Sequence, residues 1–241
     1  MIDTWRKRRS VNKIGRILGV IAVVALLAGA IIFSMKKPST AELIWDKDTV
    51  IGYPDAKNHF IIYSDLLCPY CVAFENAMAE NEESVEEYAA EHDIAIEVRV
   101  SEFLYRYGES RPINSHYSAE AVFCAKREGK FWDYYNSAIK AVWNEYFAKM
   151  GKGAFSEMAQ LNKDYWIGIG TKIGLGDSFA NCVNNDETAD EVLKITEKTA
   201  KLVNGGMPYF KFNEWSTSGF DLSWGYEHVL QYFDAGLKSK K

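Results

Sequence analysis

Cys68-Pro69-Tyr70-Cys71 is the feature that most constrains how this chain can fold. It follows HFIIYSD, residues 59–65, a β-branched and aromatic run that reads as a buried central strand. It opens CVAFENAMAENEESVEEYAAEH, where Val72, Phe74, Met78, Val85, Tyr88 and Ala89 recur at helical intervals among good helix formers. A strand must end and a helix must begin around the two sulfurs. IAIEVRVSEF, residues 94–103, then sets Ile94, Ile96, Val98 and Val100 against Ala95, Glu97, Arg99 and Ser101, the period of a strand with one face covered. Strand, helix, strand is the βαβ unit of an α/β fold.

The rest of the chain completes the pattern. From Ser115 to about Val203 the sequence turns helical, broken by Gly151, Gly153, Gly174 and Gly176, and reads as an inserted helical subdomain. After it, PYFKFNEWSTSGFDL holds two strand-like runs about a turn, and GYEHVLQYFDAGLKSKK is an amphipathic helix with a basic tail. With 241 residues, 48% hydrophobic and 14% aromatic, the chain can fill one domain plus an appendage. Tyr105, Tyr107, Trp132 and Trp143 are expected in the core or lining a groove.

The appendage is the N-terminus. Residues 1–16 carry Arg6, Lys7, Arg8, Arg9, Lys13 and Arg16, and residues 17–35 (ILGVIAVVALLAGAIIFSM) run uncharged for about the ~20 residues of a spanning helix. The positive charge places residues 1–16 in the cytoplasm and the rest outside. Ala28-Gly29-Ala30 resembles a cleavage site, but Ile31, Ile32 and Phe33 prolong the apolar run, so an uncleaved signal anchor is expected. Residues 36–47 then form a tether and 48–241 the folded domain, on the outer side of a prokaryotic cell membrane. Setting aside residues 1–37, which hold eight of the 28 Lys and Arg but one of the 33 Asp and Glu, leaves a net charge of −12. Such a surface keeps the domain soluble and argues against nucleic-acid binding.

Outside the membrane, disulfides form freely, and the four cysteines are Cys68, Cys71, Cys124 and Cys182. A Cys-x-x-Cys pair can clamp a metal, staple a fold or exchange electrons. Zinc wants a second pair or a paired-His motif; Cys124 and Cys182 are singletons and His59, His92, His116 and His228 show no ligand spacing, so no metal is expected. A staple closing so short a loop gains little unfolded-state entropy. The redox reading fits the physics: Cys68 sits at a helix N-terminus, where open N–H groups and the dipole favour a thiolate, and Pro69 suits the first helical turn. Cys71, one turn on, is aimed back at Cys68.

Gly205-Gly206-Met207-Pro208 precedes the strand-like YFKF, and proline tolerates a cis bond there. Together, SDLLCPYC after a short strand and this Gly-x-Pro resemble the DsbA-like thioredoxin-fold oxidoreductases over most of residues 48–238. VIGYPDAKNHFIIYSDLLCPYC resembles their lead-in, AEAVFCAKREGKFWDYY their first insertion helix, and FANCVNN the region of a second recurrent cysteine. The resemblance implies a thioredoxin fold with a helical insertion at about 115–203, a site formed by Cys68 and Cys71, and Met207 and Pro208 beside Cys68, where a substrate strand could pair with the Met207 backbone. It also implies a membrane partner coupled to quinones that reoxidises the pair. The sequence departs from the family at Tyr70, where the strongest oxidants carry His, and at Met207, where Thr or Val is usual.

The expected activity is disulfide formation in exported, thiol-bearing proteins, without a cofactor. A reductase or isomerase of the same proteins is the alternative, and a non-catalytic chaperone or interaction module the alternative from another class. Asp65 is either a proton relay near Cys71 or a strand-end or helix-capping acid. Cys124 and Cys182 are either a second redox pair or, as their 58-residue separation favours, a structural bridge between two insertion helices, and His116 is expected to act as a cap or a buried hydrogen-bonding residue.

Overall fold

The structure, a computed structural model, describes residues 46–203 and 206–239. The basic tail (1–16), the anchor (17–35), most of the tether (36–45) and Gly205 lie outside the described residues. Among the described residues, no helix is long and apolar enough to cross a membrane. Asp46 and Lys47, assigned to the tether, already belong to the folded unit: Asp46 caps the turn Lys47–Thr49 by accepting from the Asp48 N–H, and it pairs with Lys126.

One sheet of five strands organises the domain: β1 (Val50–Gly52), β2 (Asn58–Ser64), β3 (Ile94–Val100), β4 (Tyr209–Phe212) and β5 (Trp215–Ser218), in the order β1-β3-β2-β4-β5. β2 is the central strand that its sequence suggests. It runs parallel to β3, with Ser64 opposite Val100, and antiparallel to β4, with Tyr63 opposite Tyr209. β4 and β5 form a hairpin across Asn213 and Glu214, and Asn213 takes the positive φ that such a tight turn asks for.

The helices are α1 (Pro69–Ala79), α2 (Glu82–Glu91), α3 (Phe103–Tyr107), α4 (Asn114–Arg127), α5 (Phe131–Val142), α6 (Lys163–Lys172), α7 (Asp177–Asn184), α8 (Ala189–Leu202) and α9 (Tyr226–Lys238), with a run of short helical turns over 143–158. The stretch after Pro69 thus divides into two helices. The Asn81 side-chain amide donates to the Ala77 carbonyl at 2.8 Å and competes with the helical ladder, which stops there.

β3 corrects the reading of one covered face: all seven of its residues are buried. Burial of its second face is possible because Arg99 and Glu97 neutralise each other, with Nε to Oε1 at 2.9 Å and Nη2 to Oε2 at 2.7 Å, and Arg99 also donates to the Tyr63 hydroxyl at 3.2 Å. Tyr107 also departs from expectation, for its side chain is exposed rather than in the core.

The core on the sheet is aromatic. Phe60 meets Phe233 edge-on at 4.8 Å and Phe74 meets Phe210 at 4.6 Å, joining β2, β4, α1 and α9. Each such ring, fully buried, contributes about 1.5–3 kcal/mol. Gly236 lets α9 press on the sheet, since a Cβ there would lie 2.7 Å from the Phe212 ring. In the insertion, the Trp166 indole N–H donates to Asn114 Oδ1 at 2.6 Å and the Tyr134 hydroxyl to the Trp166 carbonyl at 3.0 Å. Satisfying these polar atoms lets two large side chains lie wholly buried.

Candidate active site

At its C-terminal end β2 passes through Asp65, Leu66 and Leu67 into α1, and this turn fixes the first cysteine. The Asp65 carbonyl accepts the Cys68 N–H at 2.9 Å. Its carboxylate accepts from the Leu67 N–H at 2.9 Å through Oδ1, and from the Leu104 N–H at 2.8 Å and the Ser115 hydroxyl at 2.7 Å through Oδ2. Asp65 therefore braces β2, α3 and α4 around the turn. Burial pushes its pKa up to about 6, against those hydrogen bonds.

Cys68 is the N-cap of α1 and Pro69 its first residue. No side chain caps this end, so the N–H groups of the first turn have no capping acceptor. Its thiol points to the Met207 carbonyl, 3.6 Å away, and the Met207–Pro208 peptide is cis. Cys71, one turn into the helix, is completely buried, whereas Cys68 keeps 5% of its surface exposed. Both are free thiols. Burial first, then the hydrogen bond with Cys68, the charge of Cys68 and Glu75, holds the Cys71 thiol well above its ordinary pKa. Tyr70 lies partly exposed between them, and the Lys152 ammonium sits 5.0 Å from its ring centroid.

Beneath the pair is a residue that the sequence reading missed. Glu75 follows Cys71 by one helical turn, so it lies on the same face of α1, turned into the protein. The Ser64 hydroxyl donates to its Oε2 at 2.9 Å. The Tyr135 hydroxyl, from α5, faces the same carboxyl, yet it and Glu75 Oε1 are both buried without a well-formed partner among the described residues. Burial pushes Glu75 up to about 8, which leaves it protonated at pH 7. The i, i+4 spacing from Cys71 was the available signal for Glu75; nothing in the sequence pointed to Tyr135.

A strand running into a helix-capping cysteine, a buried second cysteine and a cis proline opposite them form one arrangement on this sheet. A family model described as thioredoxin matches residues 45–215. The chain belongs to the thioredoxin family. Three solved structures share the thioredoxin fold with its helical insertion. One is a thioredoxin-like oxidoreductase from Silicibacter pomeroyi DSS-3, 19% identical, covering 80% of this chain and 94% of that one, with a TM-score of 0.55. Another is MdbA, a thiol-disulfide oxidoreductase from Corynebacterium diphtheriae, 16% identical, covering 79% and 90%, with a TM-score of 0.56. The third is alpha-DsbA1 of Wolbachia pipientis, 12% identical, covering 80% and 94%, with a TM-score of 0.53. No curated protein sequence matches the chain.

On the thioredoxin scaffold the insertion carries the remaining cysteines. Cys124 of α4 and Cys182 of α7 are joined in a disulfide, their Cα atoms 5.8 Å apart. His116 is hydrogen-bonded as expected of it, its Nδ1 lying 2.5 Å from Glu102 Oε2. The cysteine pair is itself a redox group, so the arrangement can exchange a disulfide with an incoming thiol without any bound cofactor.

Proposed function

We propose that the chain is an extracytoplasmic thiol-disulfide oxidoreductase that forms disulfides in exported proteins by exchange through Cys68 and Cys71. The observation that carries this reading is the asymmetry of the pair. Cys68 is the less buried of the two, at the open N-terminus of α1 and beside Met207, while Cys71 is completely buried. The similar proteins from Silicibacter pomeroyi and Corynebacterium diphtheriae, an oxidoreductase and a thiol-disulfide oxidoreductase, support the same chemistry.

In the oxidising direction the substrate's thiolate attacks the Cys68 sulfur of the Cys68–Cys71 disulfide. A bond forms between substrate and Cys68, the bond to Cys71 breaks, and Cys71 leaves with the electron pair. Its raised pKa means that it takes up a proton at once. The substrate's second thiolate then attacks the substrate sulfur of the mixed disulfide and releases Cys68 to the helix N-terminus. The substrate has lost two electrons and the pair has gained them; the protons of the substrate thiols left to solvent when its thiolates formed, and solvent supplies the proton that Cys71 takes up. A substrate strand pairing with the Met207 backbone would hold the reacting sulfur against Cys68. Reoxidation falls to a membrane partner that passes the electrons to quinones, and residues 17–35 anchor the domain on the outer face of the membrane.

Cys71→Ala tests the reading, because it removes the internal attacking thiol and leaves mixed disulfides standing on Cys68. Exported thiol proteins should be trapped on this variant during oxidising growth and lost from Cys68→Ala/Cys71→Ala. No trapped partner would sink the catalytic role and favour a chaperone or interaction module. The reductive direction has one observation in its favour: a buried, high-pKa Cys71 is a poor leaving group, which weakens the disulfide as an oxidant. Equilibrating the pair with glutathione decides between the two, a strongly reducing potential assigning reductase or isomerase.

A further inference from the structure

A second constellation lies in the helical insertion, away from the cysteine pair. His116 and Glu120 are one turn apart on α4, so both face the same side. Asp186 follows the end of α7, one turn beyond Cys182. The Cys124–Cys182 disulfide ties these two helices directly beneath, and the Thr188 hydroxyl donates to the Glu120 carbonyl at 3.2 Å. One nitrogen or oxygen from each of His116, Glu120 and Asp186 lies within 4.8 Å of the others.

Glu120 is what this cluster must answer for. It is fully buried, and neither carboxylate oxygen has a hydrogen-bond partner among the described residues. A buried carboxylate without a partner costs several kcal/mol unless a positive charge meets it. His116 and Lys163 act on Glu120 only through space and neither bonds it; the Lys163 ammonium bonds Asp186 Oδ1 at 2.6 Å and the Asn184 carbonyl at 3.1 Å. His116 is oriented as a ligand would be. Its Nδ1 is hydrogen-bonded to Glu102 Oε2, which leaves Nε2 turned toward Asp186 Oδ1 at 3.6 Å. A carboxylate behind the imidazole is the usual outer partner of a metal-binding histidine.

We propose that His116 Nε2, Glu120 and Asp186 bind a divalent transition-metal ion such as zinc. Ligand atoms about 2.1 Å from a tetrahedral zinc are about 3.4 Å apart, close to the 3.6 Å His116–Asp186 separation, and all three ligand atoms already lie within 4.8 Å of one another. One imidazole and two carboxylates form a borderline donor set that suits zinc better than calcium or magnesium. This site departs from the sequence reading, which expects no metal: the third ligand comes from the turn after α7, far along the chain.

The test is equilibrium dialysis of tag-free, detergent-solubilised full chain against zinc chloride, with Cys68 and Cys71 first oxidised to a disulfide so that no thiol competes. One zinc per chain is expected. Glu120→Gln and Asp186→Asn should each weaken binding at least about tenfold, and Glu102→Gln by about ten- to a hundredfold. Asp186→Asn keeps the assay decisive even if the buried Glu120→Gln fails to fold, since Asp186 is exposed and its positive φ suits asparagine. Lys163→Met, which releases Asp186, should tighten binding. No bound zinc, or equal binding by the wild type and Asp186→Asn, would overturn the site.

Discussion

At the scale of single residues, Glu75 offers the sharpest handle on the site. Its carboxyl titrates at about 8 in the folded chain against about 4.5 when unfolded. Between those values the folded protein holds one proton more than the unfolded one, so stability falls as pH rises, by up to about 1.4 kcal/mol per pH unit from this residue. The contribution is complete below pH ~4.5 and gone above pH ~8. Glu75→Gln keeps the shape and an acceptor for Ser64 but removes the charge. Its urea midpoint should therefore change less than that of the wild type between pH 6 and 8, while Asp65, raised to about 6, still gives both proteins a slope below pH 6. Parallel curves would show that Glu75 is not held protonated. The cysteines, Pro69 and Met207-Pro208 were legible in the sequence because their chemistry is carried by residue type and spacing. Glu75 and Tyr135 were not, because a buried acid on a helix looks like any surface glutamate until the sheet covers it.

Elements were legible where their own periodicity is strong and hidden where neighbours create them. β2, the β4–β5 hairpin and α9 stand where the sequence pattern sets them. β1 is three residues long, and it exists by pairing antiparallel with β3, Val50 opposite Glu97. β3 alternates like a half-covered strand, yet Glu97 and Arg99 go inside because they pair with each other. The insertion was readable as helical, but the contacts that order it, Asn114 with Trp166 and Trp166 with Tyr134, join residues far apart in sequence. Its staple carries an element-scale prediction. Cys124 and Cys182 are 58 residues apart, and the chain-entropy argument gives a bridge over such a loop about 4 kcal/mol of stability. Cys124→Ala/Cys182→Ala should lose about that much in urea unfolding while the Cys68/Cys71 pair still exchanges with glutathione. A loss below about 1 kcal/mol would mean that α4 and α7 hold together without it.

For the whole molecule, redox direction and fold stability are two faces of one thermodynamic cycle. Whichever form of the Cys68/Cys71 pair the fold favours, that form of the protein must resist unfolding better, and for a two-electron couple each 30 mV of potential corresponds to about 1.4 kcal/mol of stability. The two sulfurs pull in opposite directions. The open first turn of α1 beside Cys68 favours the reduced protein, whereas Cys71, buried and close to Glu75, is no place for negative charge. Since Cys71 can be held as a neutral thiol, its burial does not oppose reduction, and the helix terminus should win. Reduced protein is therefore expected to unfold at higher urea than oxidised protein. The Cys124→Ala/Cys182→Ala background suits the measurement, because it leaves the active pair as the only cysteines and prevents reshuffling in the unfolded chain. At pH 7, under argon, a reduced form more stable by about 1.4 kcal/mol or more would fit a disulfide donor. A more stable oxidised form would reverse the direction of electron flow and make the domain a reductase.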